Sequence, residues 1–212
     1  MDYKERYKQW LESSVLKEEE KEILKNMKEG EQKEAFFQEL TFGTGGLRGI
    51  MGLGSSRINN YTIRRATEGL AAYLLKNVQG VKSCKVAIAF DSRKHSREFA
   101  LEAALVLCDN GIRTYLFRSL RPTPELSFAV RDLSCSAGIV ITASHNPPIY
   151  NGYKVYGSDG GQITLAAAEG IMEEISKIDV LKERKAITEW EAVQEELLYY
   201  IGDEMDRRYI DR

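Results

Sequence analysis

The sequence predicts an α/β/α sandwich, on three observations: short apolar runs of strand length alternate with helical patterns of ten or more residues, Gly and Pro punctuate the helices, and the strand runs carry almost no polar residues, as expected of strands covered on both faces. The first 40 residues hold 11 acidic and 8 basic side chains, with Val15, Ile23, Leu24, Met27, Phe36, Phe37 and Leu40 set between them. That pattern gives short amphipathic helices packed by one stripe, and the sustained heptads of a coiled coil are missing. Ser14 and Lys17 match an SxxK spacing by chance, inside a charged stretch.

The texture changes at Thr41. Phe42 to Gly54 reads FGTGGLRGIMGLG, with six glycines and one charge, Arg48, so the backbone here does what side chains would obstruct. Tyr61 to Asn77 carries a helical stripe of Ile63, Leu70, Tyr73 and Leu74, and Lys85 to Phe90 (KVAIAF) is a buried strand ending at Asp91. Ser96 is placed to cap a helix running through Phe99, Ala103, Val106 and Leu107, and Gly111 stops it. A strand over Thr114 to Phe117 follows; Pro122 and Pro124 turn the chain into a helix, Glu125 to Asp132; Ala137 to Thr142 (AGIVIT) is a further strand. Tyr153 to Tyr156 makes another short strand, and Thr164 opens a helix through Ile175. Trp190, Val193, Leu197, Leu198 and Ile201 fall at helical spacing, so 183–212 reads as a helical run.

Composition narrows the class. In 212 residues, 43% are hydrophobic and 29% charged, which excludes collagen-like, low-complexity and wholly disordered chains. A chain of this size buries roughly 70% of its unfolded surface and needs no disulfide to hold a core. The formal net charge of -2 argues against a nucleic-acid binder or a polybasic membrane anchor. No apolar run approaches the ~20 residues of a membrane span. Cys84, Cys108 and Cys135 form no CxxC pair, which together with a charged N-terminus predicts a cytoplasmic setting.

Chemistry concentrates after AGIVIT. Thr142 to Lys154 holds Ser144, His145, Asn146, Asn151 and Lys154 around the adjacent prolines 147 and 148, and such a loop leaves the carboxyl end of a strand, where open α/β sheets place their ligand sites. The residues flanking Ser144 miss the G-x-S-x-G elbow, and His145 is too close in sequence to reach the serine hydroxyl in line, so a Ser-His-Asp triad is not predicted. The glycine segment is neither a Rossmann nor a Walker loop, since Arg48 stands where a third glycine would be needed and no G-K-[ST] occurs. A purely structural turn is the alternative reading, and the segment's one cation tips the balance toward an anion contact, because a guanidinium fork matches phosphate oxygens.

TASHNPPIYNGYKVYG (142–157) resembles the phosphoserine loop of the α-D-phosphohexomutases, the phosphoglucomutase and phosphomannomutase superfamily; FGTGGLRGIMG (42–52) resembles that family's first loop, in the variant of bacterial phosphoglucomutases and the phosphopentomutase-like branch. FDSRKHS (90–96) resembles a third segment after the second strand. The resemblance implies the first domain of that fold, a three-layer α/β/α sandwich with a mixed sheet over 41–182, after a helical extension over 1–40 and before a lead-in, 183–212, to an absent second domain. It implies that Ser144 carries a phosphoryl group, donates it to a sugar monophosphate and recovers one from the resulting bisphosphate. Lys154 falls on the family's pocket lysine, an acid/base or charge clamp; Arg48 falls on the arginine beside the phosphoserine; His145 and Asn146 flank the nucleophile, His145 as an orienting hydrogen-bonder. Arg93 has two readings of equal weight, a cap or interface ion pair and a catalytic role.

The implied substrate is a hexose phosphate, glucose first, with glucose 1,6-bisphosphate as intermediate and activator. The implied ion is Mg²⁺, held here only through a phosphate on Ser144, since the family's DGDxDR metal loop is not reproduced by Asp203, Asp206 and Asp211. Domains two to four of the family are thus expected to be missing partners on the same polypeptide, with the chain inactive alone. A phosphopentomutase, a glucose-1,6-bisphosphate synthase and a non-catalytic anion-binding fragment are the alternatives.

Overall fold

The structure is a computed structural model and describes residues 1–78, 83–183 and 186–212. A six-stranded mixed sheet runs in the order β1-β5-β4-β2-β3-β6, built from β1 (Gly46–Ile50), β2 (Lys85–Phe90), β3 (Arg113–Phe117), β4 (Ala137–Ile141), β5 (Tyr150–Gly157) and β6 (Leu198–Ile201). β4, β2, β3 and β6 are mutually parallel, whereas β5 runs antiparallel to both β4 and β1. The four parallel strands therefore end on one edge. The serine loop is the connection that turns β4 back into β5 at that edge.

Helices cover both faces. Side chains of alternate parity divide the sheet: Val86, Ile88, Ile139, Ile141, Tyr153 and Val155 pack with α4 (Asn60–Asn77), α5 (Ser96–Asp109) and α7 (Leu165–Ser176). Ala87, Ala89, Phe117 and Val140 pack on the other face with α6 (Thr123–Asp132) and α9 (Asp203–Ile210), whose Met205 is buried there. Thr164 caps α7 by accepting the Ala167 N–H, and Gly111 follows α5 at φ 73°, the left-handed stop that a glycine tolerates without cost. The pattern of strands and helices predicted between 61 and 175 is the one found.

The first 40 residues form α1 (Tyr3–Glu12), α2 (Glu18–Lys25) and α3 (Glu29–Phe36). Their apolar stripe closes a separate small core in which Trp10 stacks edge-on against both Phe36 and Tyr61, with centroids 5.7 and 5.4 Å away. Burying each such side chain contributes roughly 1.5–3 kcal/mol, enough to seat the extension on the start of α4.

Two expectations are corrected. Ser96 does not cap α5: the N-cap position is His95, left-handed at φ 63°, and the Ser96 hydroxyl is used elsewhere. The helical reading of 183–212 is also overturned, for the described part of a stretch in which 184–185 lie outside the described residues. α8 (Glu189–Gln194) stops early, Glu196 turns left-handed, and Leu198–Ile201 becomes β6, parallel to β3. An unpaired sheet edge beside β3 outweighs helical spacing in a run of aromatic and aliphatic residues suited to either state.

Candidate active site

Ser144 stands at the carboxyl edge of the sheet, exposed and left-handed at φ 57°. A serine held there needs its neighbours to fix it, because the conformation is uncommon for a residue with a Cβ. Three contacts do so locally: the Ser144 N–H donates to Thr142 Oγ1 (3.0 Å), the Asn146 N–H to the Ala143 carbonyl (3.1 Å), and the Tyr150 N–H to the Pro147 carbonyl (3.0 Å). His145 is exposed, with Nδ1 3.4 Å from Ser144 Oγ.

The fourth contact is Arg93, from the turn after β2. Its Nη2 donates to the carbonyls of Ser144 and Asn146, both at 2.7 Å, and its Nη1 to those of Pro147 (3.0 Å) and Tyr150 (3.1 Å). Its Nε faces Asp91 Oδ2 at 3.3 Å, and its side chain is only 14% exposed. Asp91 in turn accepts the Arg93 N–H and the Ser96 hydroxyl on Oδ1. Ser96 Oγ also accepts from the fully buried Asn151, whose Nδ2 bonds the Lys94 carbonyl as well. Neither sequence reading of Arg93 is complete: it pairs with Asp91, and its remaining donors grip the serine loop.

On the other side of the loop, β1 brings Arg48 opposite Gly152 of β5, and Lys154 lies two pairs further along, opposite Gly46 on β1 and Val140 on β4. Arg48 and Lys154 therefore share a face of the sheet as diagonal neighbours. Arg48 is exposed, and its Nη1 donates to Asn146 Oδ1 at 3.2 Å. Lys154 is half-buried, and among the described residues its ammonium meets no carboxylate. Gly152, buried between the two strands' backbones, has no room for a side chain: a Cβ there would lie 2.6 Å from the Thr142 carbonyl oxygen and 2.8 Å from that of Leu47. Gly46, at φ 147°, would place one 1.9 Å from the Tyr153 oxygen. The glycine segment is thus a strand pressed against β5, tied to the start of α4 by Asn59, whose Nδ2 donates to the Gly52 and Gly54 carbonyls.

Of the predicted residues, Ser144, His145, Asn146 and Arg48 come together around one loop, with Lys154 on the adjoining strand. An open cleft of about 1180 Å³ adjoins Ser144, Asn146 and Arg93 and continues past Lys94, His95 and Asn60; Arg48 and Lys154 do not line it. Among the described residues no group of three or more His, Cys, Asp or Glu side chains is gathered for a metal ion, and the nearby Asp91 is engaged by Arg93 and Ser96. The described residues thus do not compose a Mg²⁺ shell on their own. Sequence reasoning places Thr142 and Asn151 in the loop and Asp91 at the end of β2 but gives none of the three a role, since their positions at the ends of β2 and β4 and the start of β5 are the only signal they carry.

An exposed serine, two cations and a braced backbone thus stand at the carboxyl edge of the mixed sheet of an α/β domain, the edge at which open α/β sheets place ligand sites. The comparisons give the family. The model for phosphoglucomutase/phosphomannomutase, alpha/beta/alpha domain I, matches residues 39–182, and the chain belongs to that family.

A phosphoglucomutase of Staphylococcus saprophyticus is 44% identical over 170 residues, covering 80% of this chain and 30% of that protein. A phosphoglucomutase of Staphylococcus aureus is 52% identical over 139 residues, covering 66% and 25%. The chain thus spans between a quarter and a third of the length of these relatives. Among solved structures, a Thermus thermophilus protein provisionally named a phosphomannomutase superposes with a TM-score of 0.59 at 33% identity, over 65% of this chain and 30% of that one. A phosphoglucomutase/phosphomannomutase family protein of Burkholderia thailandensis gives 0.54 at 25% identity, over 64% and 30%. No helix among the described residues is long and apolar enough to cross a membrane.

Proposed function

We propose that this chain is the serine-bearing first domain of a phosphoglucomutase that interconverts glucose 1-phosphate and glucose 6-phosphate in the cytoplasm. The observation that carries the reading is the left-handed, exposed Ser144, braced by backbone contacts and flanked on one face by Arg48 and Lys154. Ser144 Oγ bears the phosphoryl group. A hydroxyl of the bound sugar monophosphate attacks that phosphorus, the bond to Ser144 Oγ breaks, and the sugar leaves the step as glucose 1,6-bisphosphate. After the bisphosphate turns over in the site, Ser144 Oγ attacks its other phosphorus, and the second sugar monophosphate is released with the serine phosphorylated again.

Phosphoryl transfer is governed by positioning and by charge stabilisation. Arg48 is suited to bind equatorial phosphate oxygens, being the exposed residue of an edge strand and carrying a guanidinium fork. Lys154 is suited to clamp the transferring charge or to exchange the proton of the attacking hydroxyl, and Asn146 and His145 to orient the groups around Oγ. Mg²⁺ would neutralise phosphate charge when bound, with its carboxylates drawn from outside the described residues. The remaining domains of the family are proposed to close the site over the sugar.

The test is a coupled mutase assay on the full-length enzyme with Mg²⁺ and a catalytic amount of glucose 1,6-bisphosphate. Turnover is expected, and Ser144→Ala lowers kcat by on the order of 10⁴-fold or more, the scale of losing a nucleophile. Undiminished turnover in Ser144→Ala overturns the reading.

A further inference from the structure

The geometry points to Arg93 as the residue that positions Ser144 for phosphoryl transfer without itself touching phosphate. This rests on the reading of Ser144 as phosphoryl carrier. A guanidinium has five N–H donors and no acceptor. Four of Arg93's are hydrogen-bonded, two on Nη1 to the carbonyls of Pro147 and Tyr150 and two on Nη2 to those of Ser144 and Asn146, while Nε is ion-paired with the Asp91 carboxylate at 3.3 Å. No Nη donor remains for a substrate oxygen, although the side chain borders the cleft. Arg48, by contrast, spends one Nη1 contact on Asn146 Oδ1 and is exposed.

The acceptors explain the effect. One is the carbonyl of Ser144 itself, and the others follow within the same loop, so a single planar group sets the direction of the peptide planes on either side of the left-handed turn. With the Ser144 carbonyl held toward Arg93 and the N–H held by Thr142, the Cα–Cβ bond has one direction left, which confines Oγ to the few rotamers about it. The guanidinium is aimed by Asp91, and Asp91 by Ser96, which Asn151 ties to the first residues of β5. The brace therefore spans both ends of the loop. Lysine cannot replace it, because a point ammonium has three donors and no plane.

The experiment compares full-length wild type, Arg93→Lys and Asp91→Asn, with Ser144→Ala as reference. Three quantities are read: kcat and KM separately, thermal stability, and amide exchange of peptides covering 143–152, which hold the Asn146 and Tyr150 N–H groups. Misplacement of a reacting atom by an ångström costs about 100-fold. Arg93→Lys is expected to lose kcat on that scale with KM within about threefold, and to exchange the 143–152 amides faster while the rest of the protein keeps its protection. Asp91→Asn, which keeps the guanidinium and weakens the carboxylate that anchors it and the β2 turn, falls between wild type and Arg93→Lys in both kcat and exchange.

An Arg93→Lys enzyme with wild-type kcat, or one whose loss lies in KM, overturns the positioning role. So does a loss of kcat that follows global unfolding with unchanged loop exchange. If Ser144→Ala is inactive while Arg93→Lys is not impaired, the phosphoserine reading stands and only the positioning role fails. An active Ser144→Ala enzyme overturns both.

Discussion

Arg48 reaches the serine loop from β1 and Arg93 reaches it from the turn after β2, and the two differ in how their donors are used. Arg93 is mostly buried and bonded to backbone carbonyls and one carboxylate. Arg48 is exposed on an open face shared with Lys154. The same side chain thus serves as scaffold on one side of Ser144 and is left available to a ligand on the other. What separates the two is the supply of acceptors: the loop carbonyls face the β2 turn, while β1 presents glycines and no carboxylate. A cation among carbonyls fixes shape, and a cation with unused donors binds anions.

The largest effect should come from the open face. Lys154→Met is expected to lower kcat of the full-length enzyme by about 10²–10³-fold, the scale of removing one preorganised charge donor, and to change KM less. Steady-state kinetics decide it; an unchanged kcat would show that the open face does not carry the transferring charge.

Gly152→Ala tests how closely the backbones beside the loop must approach. Its Cβ would press on two carbonyl oxygens at 2.6 and 2.8 Å, so a stability loss of about 1–3 kcal/mol is expected in urea titration. Arg48→Lys keeps the charge and loses the fork, and about a tenfold fall in kcat/KM is expected. If Arg48→Lys is neutral, the guanidinium is one more brace and the contrast with Arg93 disappears.

A third arginine sharpens the comparison through pH. Arg121, after β3, is bound by Asp206 of α9 through Nε (2.7 Å) and Nη2 (2.6 Å), and faces Glu125 at 3.4 Å. Burial first, and then the Asp206 carboxylate, push the Glu125 carboxyl up to about 7, while the hydrogen bond from Arg121 holds Asp206 below its ordinary value. A carboxyl with a raised folded pKa binds more protons folded than unfolded between about 4.5 and about 7, so its contribution to stability is complete below that window and is lost as pH rises through it. Asp206 acts in the opposite sense, losing its contribution as pH falls below its unfolded value, and the two titrate as a pair. Thermal melts from pH 5 to pH 8 should show stability falling with pH, by less in Glu125→Gln than in wild type. Equal slopes would remove Glu125 from the account. The smallest effect belongs here, because the group lies away from the serine loop.

Much of this organisation is legible in residue order. Apolar runs such as KVAIAF and AGIVIT become strands because nothing else buries them, and Ser144, Asn146 and Arg48 are recognisable because side-chain chemistry marks them. The role of Arg93 escapes the sequence because its partners are backbone carbonyls, which every residue has; only the adjacency of β2 and β4 brings them within reach. Ser96 reads as a cap for the same reason, its actual partners Asp91 and Asn151 being brought to it by the fold. β6 reads as helix because the spacing over 190–201 is local information, whereas the vacant edge beside β3 is not.

The central claim is that Ser144 Oγ carries the phosphoryl group, and peptide mass spectrometry of the full-length enzyme after incubation with glucose 1,6-bisphosphate tests it most directly. The account predicts one added phosphate on the peptide containing Ser144, placed on that residue by fragmentation and absent from Ser144→Ala. Phosphate on another residue, with Ser144 unmodified and the Ser144→Ala enzyme still turning over, would contradict it.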